Sequence, residues 1–189
     1  MAGVRMKNLL VALSLLLVSA PAWSLEVAGV NVPPTLQAGG KALNLNGAGV
    51  RSKFFVKVYV GALYTERKVS TTEELLRDPG EKVVRMHFVH SKVEKAKFVD
   101  GFAEGLAKNA PDVAQSPEAK AFLAWFQSDF VAGDTVEIAV SPDGSLSASH
   151  NGKALGTARS QALSRGVLLI WFGEKPADAG LKKGMLGQG

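Results

Sequence analysis

Gly47-Ala48-Gly49-Val50-Arg51-Ser52-Lys53-Phe54-Phe55-Val56-Lys57-Val58-Tyr59-Val60-Gly61-Ala62-Leu63-Tyr64 is the stretch that decides the fold. From Lys53 to Thr65 it is rich in β-branched and aromatic residues and predicts a long strand. Phe54, Val56, Val58 and Val60 fall on one face, and Phe55, Lys57 and Tyr59 on the other. Gly61 marks a candidate bulge. Gly47 to Gly49 interrupt the alternation begun at Leu43-Asn44-Leu45. They leave Arg51 at the mouth of the strand, where a chain without Cβ atoms lets backbone or ligand come close. An arginine beside a phenol suits an anion, because a guanidinium grips a carboxylate or enolate through charge-assisted hydrogen bonds.

Other elements line up on both sides. Leu25 to Val32 is extended until Pro33-Pro34 breaks it. Ser70-Thr71-Thr72-Glu73-Glu74 caps a short helix, and Asp78-Pro79-Gly80 is a turn. Lys82 to His90 reads as a second strand. Ser91-Lys92-Val93-Glu94 fits a capping box, so the next helix is expected to start there. Ser116-Pro117-Glu118 opens another helix, with cap, proline and acid in their favoured places. Three strands follow, turning at Pro142-Asp143-Gly144 and Asn151-Gly152. A last helix runs from about Ala158 to a stop at Gly173, and the tail from Lys175 to Gly189 is expected to be loose at its end. The sum is an α+β domain, antiparallel strands with helices gathered on one face.

The N-terminus carries a different message. Arg5 and Lys7 precede the apolar Leu9 to Val18, and Ala22-Trp23-Ser24 offers small residues at a cleavage site. That order predicts a secretion signal over residues 1–24, cut before Leu25, and a periplasmic or secreted domain over 25–189. Losing Arg5 and Lys7 lowers the net charge from +5 to +3. That charge is small and scattered, which gives no case for nucleic acid. The chain has no cysteine, so packing alone must hold the exported domain together. No later apolar stretch reaches spanning length, and no transmembrane segment is expected after cleavage.

Several chemistries lack support. His87 and His90 stand three apart in or beside a strand, hence on opposite faces, and no metal site is expected. There is no Gly-x-Ser-x-Gly motif for a hydrolase. Strand, not helix, follows both glycine clusters, which removes the phosphate-cradle reading. No cofactor is called for.

The element from Gly47 to Arg51, with the strand that follows it through Tyr64, resembles the signature of chalcone-isomerase-like proteins. Gly133-Asp134-Thr135-Val136 with Ser141 to Gly144 is similar to the family's late hairpin, and Ala162 to Leu168 to its cleft-closing helix. The resemblance implies a chalcone-isomerase-like open-faced sandwich, an antiparallel β-sheet packed against a layer of helices with a cleft between. It implies that Arg51 steadies an anion, as the family's arginine does for a phenolate or a fatty-acid carboxylate. Tyr59 falls near a cleft threonine of the isomerases, and Tyr64 is the second candidate tyrosine. Ser164 sits where the family has a Ser or Thr facing the ligand. The isomerases' helix tyrosine and asparagine correspond to Glu94 and Gly101, so chalcone isomerisation is not expected. The partner implied is a small amphipathic acid such as a fatty acid, held by Arg51, Tyr59, Tyr64 and Ser164. An isomerase or lyase on another substrate, using Arg51, and an assembly partner with an empty cleft remain as alternatives.

Overall fold

A computed structural model describes residues 24–189; the segment read as a secretion signal lies outside the described residues except for Ser24. Seven antiparallel strands form the central sheet. In chain order they are β3 (Thr35–Ala38), β4 (Lys41–Lys53), β5 (Val56–Thr65), β6 (Lys82–Phe88), β9 (Thr135–Val140), β10 (Ser145–His150) and β11 (Lys153–Arg159). Their order across the sheet is β11-β10-β9-β6-β5-β4-β3. Two short ribbons complete the strands: β1 (Leu25–Val27) with β2 (Val30–Val32), and β7 (Lys92–Val93) with β8 (Phe130–Val131). The helices are α1 (Thr72–Arg77), α2 (Lys95–Asn109), α3 (Pro111–Ala114), α4 (Pro117–Ala124), α5 (Gln161–Phe172) and α6 (Ala179–Met185).

Strand alternation divides the core in two. Tyr59 and Leu63 of β5, Met86 and Phe88 of β6, and Val136 and Ile138 of β9 face the helices, where Phe98, Phe102, Phe122 and Trp171 meet them. Val60, Ala62 and Tyr64 point the opposite way, into a smaller cluster closed by Val32 of the β1–β2 ribbon. The helical side is filled by aromatic rings: Phe88 stacks on Phe130 at 4.8 Å, and Phe98 lies 4.6 Å from Phe102. The expected open-faced sandwich is therefore present, with its interior packed.

Several local expectations are corrected. The Gly47-Ala48-Gly49 segment is part of β4 and does not interrupt it. Its glycines admit α6 against the sheet: a Cβ on Gly47 would stand 2.2 Å from the Gly184 carbonyl oxygen, and one on Gly49 3.1 Å from Leu181 Cα. Gly61 pairs regularly with Gly49 and Met86, and the irregularities of register lie instead at Leu45/Gly47 and Arg51/Ser52. Second, Phe54 and Phe55 form a two-residue turn between β4 and β5, not strand.

Third, α2 begins at Lys95 and not at Ser91, because Lys92 and Val93 are taken up in the β7–β8 ribbon. Its first free N–H, that of Lys95, is satisfied from afar by Asp129 Oδ1 at 2.9 Å. Fourth, the tail is ordered. Asp178 caps α6, accepting from Leu181 N, and Leu181, Met185 and Leu186 are buried. Buried Asn46 fastens the end of that helix, donating to Met185 O at 2.8 Å and Val69 O at 2.9 Å. The caps at Thr71 and Ser116 fall as expected and Gly173 ends α5, but α5 starts at Gln161 behind the cap Ser160 and not at about Ala158, because Ala158 and Arg159 are taken up in β11.

Candidate functional site

The site grows from one cross-strand row. Arg51 of β4 is directly opposite Tyr59 of β5, and Tyr59 is opposite Phe88 of β6, so all three side chains share the helical face. The Arg51 guanidinium carbon stands 5.6 Å from the centroid of the Tyr59 ring, a cation–π contact. The Tyr59 hydroxyl accepts from Trp171 Nε1 of α5 at 2.9 Å. Its proton has no acceptor among the described residues. Burial pushes the phenol above its usual pKa, and the nearby Arg51 charge and the Trp171 bond offset this only in part. Tyr59 therefore stays neutral and keeps its O–H.

Helix α2 roofs the arginine. Gly101 faces it: a Cβ there would come no closer than 3.8 Å to Arg51 Nη2, and nothing else is near. Arg51 Nε is fully buried and has no hydrogen-bond partner among the described residues. Such an unspent donor costs about 1–3 kcal/mol unless something meets it. Asp178 is the nearby carboxylate on α6, but its two oxygens already accept from Leu181 N and Ser52 N, at 2.9 and 3.1 Å. Glu104 feels the Arg51 charge too, and is ion-paired to Lys108.

Beside Arg51 opens a groove of about 670 Å³. Phe54, Val58, Val93 and Phe98 give it apolar walls, with Glu94 and Lys97 on its rim. That volume lies within the range of small-molecule sites, about 300–1,000 Å³. His90 borders this groove, whereas His87 borders a small cleft under the β1–β2 ribbon on the other face. Among the described residues no group of His, Cys, Asp and Glu is arranged to hold a metal ion.

The four residues singled out by sequence do not converge. Arg51 and Tyr59 are together, but Tyr59 is 1 % exposed and lies beneath the guanidinium, off the groove wall. It holds Arg51 in place. Tyr64 faces the opposite cluster, where its hydroxyl donates to Pro33 O at 2.9 Å and ties the β1–β2 ribbon to the sheet. Ser164 is buried on α5 and donates to Gly144 O at 2.9 Å, anchoring the helix to the β9–β10 turn. It borders a separate groove with Leu75, Lys82 and Gln161.

Tyr64 could have been set aside from the sequence, since five residues along a strand reverse the face. Trp171, Val93 and Phe98 went unassigned to the site. Only Trp171 carried a signal: a buried indole N–H needs an acceptor.

This architecture, a seven-stranded antiparallel sheet under a helical layer with an arginine at the mouth between them, has a counterpart among known families. The chain belongs to the chalcone isomerase-like family, whose model matches residues 24–187. Among solved structures it is similar to the Arabidopsis thaliana fatty-acid binding protein AtFAP1, with a TM-score of 0.66 and 18% identity, over 84% of this chain and 92% of that one. At that identity the likeness speaks for the fold. No curated protein sequence matches the chain significantly. No described helix is long and apolar enough to cross a membrane.

Proposed function

We propose that this protein is an exported binding protein for a small amphipathic carboxylic acid, such as a fatty acid, and that it does not isomerise chalcones. The observation that carries the reading is Arg51: a half-buried guanidinium on the wall of an apolar groove, without an ion pair among the described residues. A carboxylate in the groove supplies a counter-charge to the half-buried Arg51 side chain through charge-assisted hydrogen bonds. Val58, Val93, Phe98 and Phe54 then take the hydrocarbon. Because aromatic rings fill the space between sheet and helices, the tail lies in the groove at the mouth and does not thread the core. The fatty-acid binding of AtFAP1, a protein of the same fold, is in keeping with this. Gly101, which stands over Arg51, offers no side chain to orient a flavonoid. Export rests on the order of Arg5, Lys7, Leu9 to Val18 and Ala22-Trp23-Ser24.

The test is calorimetry with a series of saturated fatty acids on parent and Arg51→Ala, with far-UV spectra to check folding. Removing a charge-assisted contact should weaken binding by about 1.5–3 kcal/mol, roughly ten- to hundredfold. Arg51→Lys restores the charge but not the two-pronged geometry, and should recover only part of the affinity. If the parent binds no acid, or if Arg51→Ala binds as tightly, the proposal fails. N-terminal sequencing of the fractionated protein tests export; an intact Met1 in the cytoplasm would refute it.

A further inference from the structure

At the tip of the β4–β5 hairpin the chain makes two unfavourable choices at once. Lys53 pairs with Val56, so Phe54 and Phe55 alone form the loop, with φ of 50° and 64°. Two-residue hairpins with both residues at positive φ favour Asn-Gly, and a bulky aromatic is an outlier there. The same two rings are the most exposed large apolar groups of the described residues, at 86 % and 104 %, with Val56 beside them at 44 %. A hairpin tip that served only to reverse the chain would gain on both counts from small polar residues. Neither ring is used by the core or needed by Arg51.

The surroundings of the tip are basic. Lys53 and Lys57 flank it, with the Lys53 ammonium 6.0 Å from the Phe54 ring centroid. Lys92 and Lys97 stand across the groove, and Lys95 follows at the start of α2. The acidic groups at this end have partners: Asp129 pairs with Lys92, Glu94 with Lys97, and Glu104, which feels the Lys53 charge, with Lys108, while Asp178 accepts from Ser52 N; Lys53, Lys57 and Lys95 have no ion pair among the described residues. Exposed aromatic rings within a collar of lysines match an anionic bilayer surface. The rings enter the acyl–headgroup boundary and the ammonium groups meet the lipid phosphates.

We propose that the Phe54-Phe55 tip docks this protein on anionic lipid membranes. Docking there sets the mouth of the groove against the bilayer, because Phe54 and Lys53 also line that mouth. The inference does not require Arg51 to have a ligand, and vesicles free of added fatty acid test it separately. Parent and a Phe54→Asn, Phe55→Gly double variant with the same N-terminus are sedimented with vesicles of phosphatidylglycerol and phosphatidylethanolamine, and with pure phosphatidylcholine. The parent should bind the anionic vesicles, release in high salt, and bind neutral vesicles far less.

The double variant should bind the anionic vesicles more than about tenfold less well. Its melting temperature should equal or exceed the parent's, since Asn-Gly suits the turn. Because the chain has no cysteine, Phe55→Cys accepts a single environment-sensitive dye. Its emission should shift to the blue on anionic vesicles, whereas a dye at Lys41→Cys, at the far end of β4, should not respond. The proposal is overturned if the double variant binds as well as the parent, or if the dye at position 55 does not respond. It is also overturned if that dye shifts without lipid because two copies pair through the tip, which sedimentation velocity would reveal.

Discussion

Tyr59 and Tyr64 stand five residues apart in one strand, and each has one hydrogen bond through its hydroxyl. Tyr59 lies on the helical face, where its oxygen is held by Trp171 and its ring supports the guanidinium of Arg51. Tyr64 lies on the other face, where it donates to a backbone carbonyl and fastens the β1–β2 ribbon. Burial by itself therefore says little about the work a side chain does. What distinguishes the two is whether their polar neighbours are fully satisfied. Around Tyr64 the hydroxyl proton has found an acceptor. Around Tyr59 the phenol proton and Arg51 Nε–H have no acceptor among the described residues.

The sharpest break between the faces is expected in the cores. Phe102 touches Phe98, Phe122, Phe126 and Trp171, so Phe102→Ala should cost about 3–5 kcal/mol in urea unfolding. Leu43→Ala, in the smaller cluster, should cost about 2 kcal/mol. Equal losses would show that the two faces share the stability evenly. Smaller effects come from the hydroxyls. Tyr59→Phe leaves Trp171 N–H buried without an acceptor, for about 1–3 kcal/mol, and loosens the seat of Arg51, so acid binding should weaken with it. Tyr64→Phe should cost about 0.5–1.5 kcal/mol and leave acid binding alone. A loss of acid binding in Tyr64→Phe would contradict the division of labour between the faces.

Alkaline titration compares the two phenols directly, and it is clean because the chain has only two tyrosines. Burial pushes Tyr64 up to about 12, with Arg85 partly opposing, and raises Tyr59 as well. A phenol raised in the folded state contributes stability that is complete below its ordinary pKa of 10.0 and is lost as pH climbs through the folded value. For Tyr64 that window is pH 10 to 12. Ultraviolet absorbance should show little tyrosinate at pH 10 in the folded protein, and Tyr64→Phe should remove the step near 12. Ordinary ionisation of both residues at pH 10 would mean that neither is buried as described.

Much of this was legible in the residues. The alternation of β5, β6 and β9, the caps at Thr71 and Ser116, the Asn151-Gly152 turn and the stop at Gly173 are local signals, and each falls where the sequence places it. The glycines and arginine before β5, taken together with the strand through Tyr64, the late hairpin and Ala162 to Leu168, carried the family resemblance and singled out Arg51 as the candidate anion holder. The errors share a cause. Ser91 has the form of a cap, but a ribbon partner claims the next two residues, and Asp129 caps the helix from thirty-four positions away. The tail is rich in glycine, a weak helix former, yet Ala179–Met185 is helical because Gly47 and Gly49 leave it a bed and Asn46 holds its end.

The sequence by itself marked most of the longer strands and helices and several of their ends, and it singled out Arg51 as the candidate to meet an anion. These depend on side-chain periodicity and on caps within a few residues, and such information is written along the chain. Only the tertiary structure decided that Tyr59 is a support and Tyr64 a strut, and that Ser164 borders a different groove. It also decided that aromatic rings fill the interior and leave the open space at the mouth. Those outcomes depend on which distant groups arrive to satisfy or bury each polar atom. That is a property of the packed molecule, because a hydrogen bond or a van der Waals contact exists only at a distance the fold must set.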